Sequence, residues 1–223
     1  TAFYLGKLQD SLALDSLTAY STILVPFFAE HPWARLTLLT KSAYVDRLLD
    51  LNHRGHSILS WSVNPPEVST MFEENVPSVD ERLDAMRRVS ERGYPVRAIM
   101  MPVIPIDHWQ EYYSAFTTRL LETVPIQRLT LGGICIYRSA RDLMERKIGA
   151  RNVVSEHIDR ASPNAEDGRE RYPRSLRHRV YSLIIQSARR LRPDLEIALC
   201  LEEQALWVST GLVGNMGRCN CHL

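Results

Sequence analysis

Short apolar segments alternate along the chain with segments of helical periodicity. The strand-like segments lie near residues 3–5, 35–40, 57–63, 96–104, 128–137 and 195–201. This alternation is typical of parallel β/α units, and right-handed crossovers curl such units into a barrel. The pattern therefore predicts an α/β protein with a partial (β/α)6-type parallel barrel.

Polar residues and prolines predict where several helices begin, bend or end. Ser78 and Glu81 have the spacing of a capping box, which predicts a helix after them. Pro65 and Pro66 end the third strand and begin a short helix. We also expect Ser42 and Asp107 to cap the helices after the second and fourth strands, and Pro26 to kink a helix over residues 16–30.

Composition indicates an ordinary globular protein. The 223 residues are 45% hydrophobic and 24% charged, with a net charge of +1. No apolar run approaches the roughly 18 residues of a membrane span, and no signal-peptide pattern is present, so a cytoplasmic location is expected. We expect one domain, with a core barrel over 1–138, an Arg-rich helical excursion over 139–192, and a last strand, helix and Cys-containing tail over 193–223.

The excursion concentrates positive charge. Residues 138–192 hold 14 Lys and Arg against 7 Asp and Glu. One interpretation is a surface for nucleic-acid phosphates, which attract such residues irrespective of sequence. The other is that these arginines only solvate the outside of a long helix, since no aromatic residues interleave with them for base stacking. The residues concerned are Arg174, Arg177, Arg189, Arg190 and Arg192.

Candidate ligand-binding residues follow the strands directly. The carboxyl ends of parallel strands form one rim, where ligands collect. Lys41 follows the second strand there, and its ammonium suits a carboxylate or phosphate. Ser60 and Ser62 alternate with Trp61, so both serines face the barrel interior if Trp61 packs under the helices. Asn64 is either a further ligand contact or a turn former.

Acidic residues give further candidates near the strand ends. Asp10 and Asp15 are candidates for binding a ribose hydroxyl or an amine, and Asp15 is alternatively a helix cap. Glu202 and Glu203 follow the last strand as an acid–base pair or as a cap for the last helix.

The metal-ligating residue types form two weak groups. His53 and His56 lie close together without an obvious third ligand. The four cysteines, at 135, 200, 219 and 221, form no disulfide framework or CxxC pair. Cys219-Asn-Cys221-His222 suits a soft metal or a redox role, with an unligated tail as the alternative.

Four segments together resemble the spore photoproduct lyase family of radical S-adenosylmethionine (SAM) enzymes. They are Tyr4–Asp15, Leu38–Leu49, Ser60–Pro66 and Arg82–Arg87. The resemblance implies a barrel that lacks its first β/α unit, a [4Fe-4S] cluster, SAM and an external electron donor. It also implies reductive cleavage of SAM to a 5′-deoxyadenosyl radical that abstracts hydrogen, with DNA as the expected partner. Lys41 matches the lysine that pairs with the cofactor's carboxylate, and Ser62 matches a serine at its amino-acid end.

The chain departs from the family pattern in two places. The CxxxCxxC loop that binds the cluster is absent from the sequence, and Cys219 and Cys221 have the wrong spacing and number to replace it. We therefore expect that loop upstream of Thr1, or a protein without the cluster. The family's DNA-repair lyases share a hydrogen-donating cysteine where this chain reads Gly6–Asp10. The alternatives are a non-catalytic nucleic-acid-binding module and an inactive remnant.

Overall fold

A six-stranded parallel sheet forms the centre of the protein. The computed structural model describes residues 1–158 and 167–222. Its strands are β1 (Ala2–Leu5), β2 (Arg35–Thr40), β3 (Ser57–Ser62), β4 (Val96–Val103), β5 (Arg128–Gly133) and β8 (Glu196–Leu199). They lie in the order β1-β2-β3-β4-β5-β8, and every neighbouring pair is parallel. The α/β class and the parallel β/α architecture predicted from the sequence are confirmed.

Helices connect the strands and cover the outer face of the sheet. They are α1 (Asp15–Thr18), α2 (Ser21–Ala29), α3 (Pro66–Phe72), α4 (Val79–Glu91), α5 (Trp109–Thr123), α6 (Arg138–Ile148), α7 (Arg174–Leu191) and α8 (Gln204–Ser209). Short 3-10 turns occupy Asp46–Leu48, Ser155–His157 and Val213–Asn215. The predicted capping box is confirmed, because Ser78 Oγ accepts from Glu81 N and the Glu81 carboxylate accepts from Ser78 N. Within the described residues, no helix is both long and apolar enough to cross a membrane.

Three helix predictions are wrong in detail. The helix expected over 16–30 is divided into α1 and α2, because Ala19 takes a left-handed conformation with φ 52° between them. Ser42 caps no α-helix; its Oγ accepts from Tyr44 N in a local turn. Asp107 does not cap α5 either, since His108, with φ 59°, occupies the capping position and makes no side-chain cap.

The excursion adds a small second sheet. The strand predicted over 128–137 is broken, and its second part becomes β6 (Cys135–Tyr137), which pairs antiparallel with β7 (Arg169–Arg171). Part of the predicted excursion, residues 159–166, lies outside the described residues. The division of the domain into three parts stays a prediction.

The alternation along β3 separates the core from the barrel interior. Leu59 and Trp61 are fully buried in the hydrophobic core under the helices, and Trp61 Nε1 donates to Ser42 O at 2.9 Å. Ser60 and Ser62 therefore point to the opposite, inner face, as predicted. Ser60 lies beside Arg97 of β4, which lies beside Arg128 of β5. The inner face is thus markedly polar, and the candidate residues lie on it or at its rim.

Candidate functional site

Lys41 lies at the predicted rim position, directly after β2. Its Nζ is 3.1 Å from Glu73 Oε1, and its side chain keeps 34% of its exposure. Its backbone N–H donates to Asp10 Oδ2 at 2.6 Å. The ammonium is therefore held beside the sheet but still open to solvent.

Asp10 fixes the loop after β1 against the end of β2. Its Oδ1 accepts from the Leu12 and Ala13 backbone amides at 2.8 and 2.9 Å and from Thr40 Oγ1 at 2.7 Å. With the bond from Lys41, the carboxylate accepts four hydrogen bonds. The structure thus gives Asp10 a positioning role, and direct contact between Asp10 and a cofactor stays a prediction.

A buried ion pair lies behind Lys41. Arg82 of α4 is fully buried, and its Nη2 is 2.6 Å from Glu73 Oε2, just after α3. Ser69 Oγ also donates to Glu73 Oε2 at 2.8 Å. Burial raises the pKa of Glu73, but the hydrogen bond and charge of Arg82, together with Lys41 and Ser69, outweigh it. The pKa of Glu73 therefore lies below its ordinary value of 4.5.

Ser62 completes this arrangement from β3. Its backbone carbonyl accepts from Arg82 Nη1 at 3.2 Å, and the residue is 9% exposed. Its hydroxyl has no hydrogen-bond partner in the described chain. We call Lys41, Ser62, Glu73 and Arg82 the rim cluster; the arginine and glutamate link the two residues that the sequence predicted.

Sequence reasoning missed Glu73 and Arg82 as site residues. Arg82 occurs at the buried face of α4, between Val79 and Met86. A buried arginine on an apolar helix face needs a charged partner, so its position in the pattern was a usable signal. Glu73 carried no comparable signal, because it follows the last residue of a short helix.

The other two β3 candidates contact the protein itself. Ser60 Oγ donates to Asn220 Oδ1 at 3.0 Å in a buried contact. Asn64 Nδ2 donates to Pro102 O at 3.2 Å, and Tyr113 donates to Asn64 Oδ1 at 3.3 Å. Asn64 therefore connects β3, β4 and α5, and the turn-forming interpretation is wrong. Cofactor contacts by Ser60 and Asn64 stay predictions.

The acidic candidates away from the rim cluster are engaged in packing. Asp15 accepts from Ser21 N at 2.9 Å and from Ser21 Oγ at 2.7 Å; it lies inside α1 and not at an N-cap position, but its carboxylate holds the first N–H of α2. Glu202 forms a buried ion pair with Arg177 and accepts from the Tyr181 hydroxyl. Burial raises the pKa of Glu202 above its ordinary value although Arg177 opposes the shift. Glu203 precedes α8 without a side-chain cap, so that capping prediction is wrong.

At Arg177 the basic segment is neither a surface for phosphates nor a solvated helix face. Arg177 is only 7% exposed and contacts both Glu202 and Glu203, so it does not solvate a surface. Arg174 pairs with Glu203 at 2.8 Å, and Arg189 donates to the Pro193 carbonyl. Of these three arginines only Arg177 is withdrawn from solvent; the Arg174 side chain stays 62% exposed.

The histidine pair is not a ligand pair. His53 stacks on Tyr94 with ring centroids 3.7 Å apart, and its Nε2 contacts Arg92 O at 3.0 Å. His56 Nδ1 contacts Phe28 O at 2.8 Å. Each imidazole therefore contacts a backbone carbonyl of a distant segment.

Three of the four cysteines meet at one place. Cys219 Sγ and Cys221 Sγ are 2.9 Å apart, and both lie within 4.8 Å of a ring nitrogen of His222. The neighbouring thiol of Cys200, just after β8, is the main reason that the pKa of Cys219 falls to about 5, while burial and the bond to Cys219 raise the pKa of Cys221 to about 11.

A cleft of about 730 Å³ opens beside α3 and the start of α5. Three carboxylates, those of Glu67, Asp107 and Glu156, line it together with apolar side chains that include Met71 and Tyr112. Its acidic lining makes it a poor site for phosphates, because like charges repel.

Comparisons with known proteins agree with this fold. A family model described as spore photoproduct lyase matches residues 1–162. A spore photoproduct lyase of Geobacillus sp. is 33% identical over 133 residues, which are 58% of this chain and 39% of the relative. That of Bacillus subtilis is 29% identical over 125 residues, 56% of this chain and 36% of the relative. The chain thus spans about two fifths of the length of the curated relatives it matches.

Solved structures show the same architecture. A spore photoproduct lyase complexed with dinucleoside spore photoproduct superposes with a TM-score of 0.76 at 22% identity, over 89% of this chain and 60% of that one. A variant of the lyase with bound AdoMet and the same dinucleoside gives a TM-score of 0.75 at 21% identity, with the same coverage. At this identity, the likeness concerns the fold.

Proposed function

The chain belongs to the spore photoproduct lyase family, and on that premise we propose that it binds SAM at its rim cluster and serves radical SAM chemistry on a DNA lesion. In this proposal, SAM is cleaved reductively to a 5′-deoxyadenosyl radical, with electrons from an external donor. The observation that carries the proposal is that Glu73 and Arg82 connect the solvent-open ammonium of Lys41 to Ser62, whose hydroxyl has no partner among the described residues.

The residues of the rim cluster fit the amino-acid end of SAM. Lys41 offers a point charge for the carboxylate, and Ser62 offers one hydroxyl without an internal partner. When bound, SAM supplies the hydrogen-abstracting chemistry that characterises radical SAM enzymes. The contribution of these two side chains is to bind and orient it.

Glu73, Arg82 and Asp10 are positioning residues in this proposal. Glu73 holds the Lys41 ammonium from one side, and Asp10 holds the Lys41 backbone from the other. Arg82 balances Glu73 and fixes the carbonyl of Ser62. The cofactor thus meets side chains that are already oriented, which lowers the entropic cost of binding.

The cysteines do not fit the [4Fe-4S] cluster. A cluster-binding run places at least two residues between its cysteines, whereas one residue separates Cys219 from Cys221 and their sulfurs are 2.9 Å apart. We therefore assign no step to the cluster with the residues of this chain.

A DNA lesion is proposed as substrate by analogy with a structural neighbour that is complexed with dinucleoside spore photoproduct. The stretch Gly6–Asp10 supplies no thiol to return a hydrogen atom. The lesion and the hydrogen donor of this protein can therefore differ from those of the neighbour.

Equilibrium dialysis of the chain against labelled SAM tests the proposal. We expect saturable binding that Lys41→Met weakens by about 10- to 100-fold, the range for loss of a charge-assisted hydrogen bond. Ser62→Ala should weaken binding by about 3- to 10-fold, because a neutral hydrogen bond contributes less.

Lys147→Met is the matched control, because Lys147 is an exposed lysine of α6. It should bind SAM like the unchanged chain. No binding by the unchanged chain, or equal binding by the Lys41→Met and Lys147→Met variants, would refute cofactor binding at the rim cluster.

A further inference from the structure

The C-terminal tail, residues 213–222, folds back onto the inner face of the barrel. Asn220 is 2% exposed; it accepts from Ser60 Oγ at 3.0 Å and donates from Nδ2 to the Tyr4 hydroxyl at 3.1 Å. β3 and β1 therefore hold the single residue that separates Cys219 from Cys221. The two thiols are fixed by a buried contact on the sheet.

Two buried arginines hold the tail backbone around the same residues. Arg97 Nη1 donates to Asn220 O at 3.3 Å and to His222 O at 2.7 Å. Arg128 Nη1 donates to Cys219 O at 3.2 Å and to His222 O at 2.8 Å. Residues 219, 220 and 222 are thus each hydrogen-bonded to the sheet, and Cys221 lies between two of them.

Cys200 approaches these residues from the end of β8. Its thiol lies near Cys219, although 18 residues separate the two in the sequence. We call Cys200, Cys219, Cys221 and His222 the thiol cluster. It assembles three sulfurs and one imidazole from two segments that the fold brings together.

The charge around the thiol cluster is unbalanced. Arg128 and Arg218 both pair with Glu196 at 3.0 Å. Arg97 is 6% exposed, and no carboxylate of the described residues lies within ion-pair distance of it. Buried charges are normally paired, yet among the described residues the ion pairs of Arg97, Arg128 and Arg218 include one carboxylate, that of Glu196.

We propose that the thiol cluster is a mononuclear zinc site with Cys200, Cys219, Cys221 and His222 as ligands. A Cys3His set is a standard structural zinc site, and three thiolates with one Zn²⁺ carry a net charge of −1. That charge offsets part of the excess on Arg97, Arg128 and Arg218. The site is separate from the rim cluster, and the proposal does not depend on SAM binding.

The geometry requires only small movements. Zn–S bonds of about 2.3 Å in a tetrahedron place sulfurs about 3.8 Å apart, against 2.9 Å between Cys219 and Cys221. His222 already lies within 4.8 Å of both sulfurs. Small side-chain rotations of these three residues therefore suffice to place them around one ion, and the neighbouring Cys200 thiol would take the fourth position.

Titration of the anaerobically reduced, metal-free full chain with Co²⁺, followed by displacement with Zn²⁺, tests the site. We expect one Co²⁺ per chain, with the visible bands of tetrahedral cobalt and sulfur-to-cobalt charge transfer, and complete displacement by Zn²⁺. Cys200→Ser, Cys219→Ser and Cys221→Ser should each weaken Co²⁺ binding by at least about 100-fold, since outer-shell changes alone cost 10- to 100-fold.

Cys135→Ser is the matched control, because Cys135 lies in β6 and is outside the thiol cluster; its binding should equal that of the unchanged chain. Asn220→Ala keeps all four ligands and should retain one Co²⁺ per chain with about 10-fold weaker binding. Circular dichroism of each variant verifies that it folds.

Three results would overturn the zinc site. The first is undiminished Co²⁺ binding by Cys200→Ser, which would leave the tail alone as the ligand. The second is that the chain, after the reducing treatment, binds no metal because its cysteines remain joined in a disulfide. The third is incorporation of iron and sulfide on these cysteines in preference to zinc.

Discussion

Buried arginines on the rim and on the inner face of the barrel are neutralised differently. In the rim cluster, Arg82 pairs with Glu73 only nine residues away, and the pair is almost completely removed from solvent. On the inner face, Arg97 and Arg128 donate to backbone carbonyls of the tail, more than 90 residues away. Burial and the neighbouring charge of Arg128 lower the pKa of Arg97 to about 10.

The difference shows which region is complete by itself. In the rim cluster Glu73 neutralises Arg82, so the cluster is organised before a ligand arrives and the positive charge of Lys41 is left for it. The inner face depends on the tail for hydrogen-bond acceptors, and its three arginines have one carboxylate, Glu196, among the described residues. A ligand is therefore expected to orient itself on the rim cluster, whereas on the inner face a metal is expected to complete the structure.

The largest effect should follow from breaking the ion pair of the rim cluster. Arg82→Met leaves Glu73 buried with Lys41 as its remaining cationic partner. We expect the free energy of unfolding to fall by about 3–5 kcal/mol, as for other buried pairs that lose one partner. Urea denaturation followed by circular dichroism measures it.

Arg87→Met is the control for this change, because Arg87 lies in the same helix and makes exposed ion pairs. Its urea midpoint should stay that of the unchanged chain. Arg97→Met should cost less than Arg82→Met, about 1–3 kcal/mol, because it removes hydrogen-bond donors without isolating a carboxylate. Equal losses for Arg82→Met and Arg97→Met would show that the two regions do not differ as described.

Acid should weaken the rim cluster through Glu73. Its pKa in the folded chain is below the ordinary value of 4.5, so the ionised carboxylate contributes stability above pH 4.5. That contribution is lost as pH falls from 4.5 through the folded pKa. The stability difference between the unchanged chain and Glu73→Gln should therefore shrink over this acid range in urea titrations.

Glu74→Gln is the matched control for the acid effect, since Glu74 is the exposed neighbour of Glu73 in sequence. Its stability should follow that of the unchanged chain over the same range. A constant difference between the unchanged chain and Glu73→Gln at every pH would contradict a depressed pKa at Glu73.

The smallest effects should separate two serines of one strand. Ser60→Ala removes a buried hydrogen bond to Asn220 and should cost about 1 kcal/mol of unfolding free energy. Ser62→Ala removes a hydroxyl without a partner among the described residues and should cost less than about 0.5 kcal/mol. If Ser62→Ala cost as much as Ser60→Ala, the Ser62 hydroxyl would be structural and not available to a ligand.

Local patterns in the sequence were sufficient for the strands and for part of the rim. β2 was predicted at its observed bounds. Its short, mainly apolar run between Arg35 and Lys41 is a local signal that can be read without knowing its neighbours in the sheet. Lys41 and Ser62 followed from strand ends alone, since parallel strands place their carboxyl ends together. The break at Ala19 was missed because alanine rarely takes a positive φ, and nothing nearby in the sequence marks one.

Contacts across the barrel were beyond sequence reasoning. The Ser60–Asn220 bond joins residues 160 positions apart. No sequence pattern at either residue predicts that the two are in contact. Arg177 looked like a surface residue among other arginines, but α7 packs it against Glu202. Contacts of this kind depend on how helices and the tail pack against the sheet.

The sequence by itself determined the α/β class, the succession of six parallel strands and the polar residues at their ends, because these depend on local periodicity. Tertiary structure alone decided that Glu73 and Arg82 connect Lys41 to Ser62, and that Cys200 meets the tail cysteines. The physical reason is that parallel strands need long crossovers, so side chains that are neighbours on the inner face come from distant segments. Packing in three dimensions selects which of them meet.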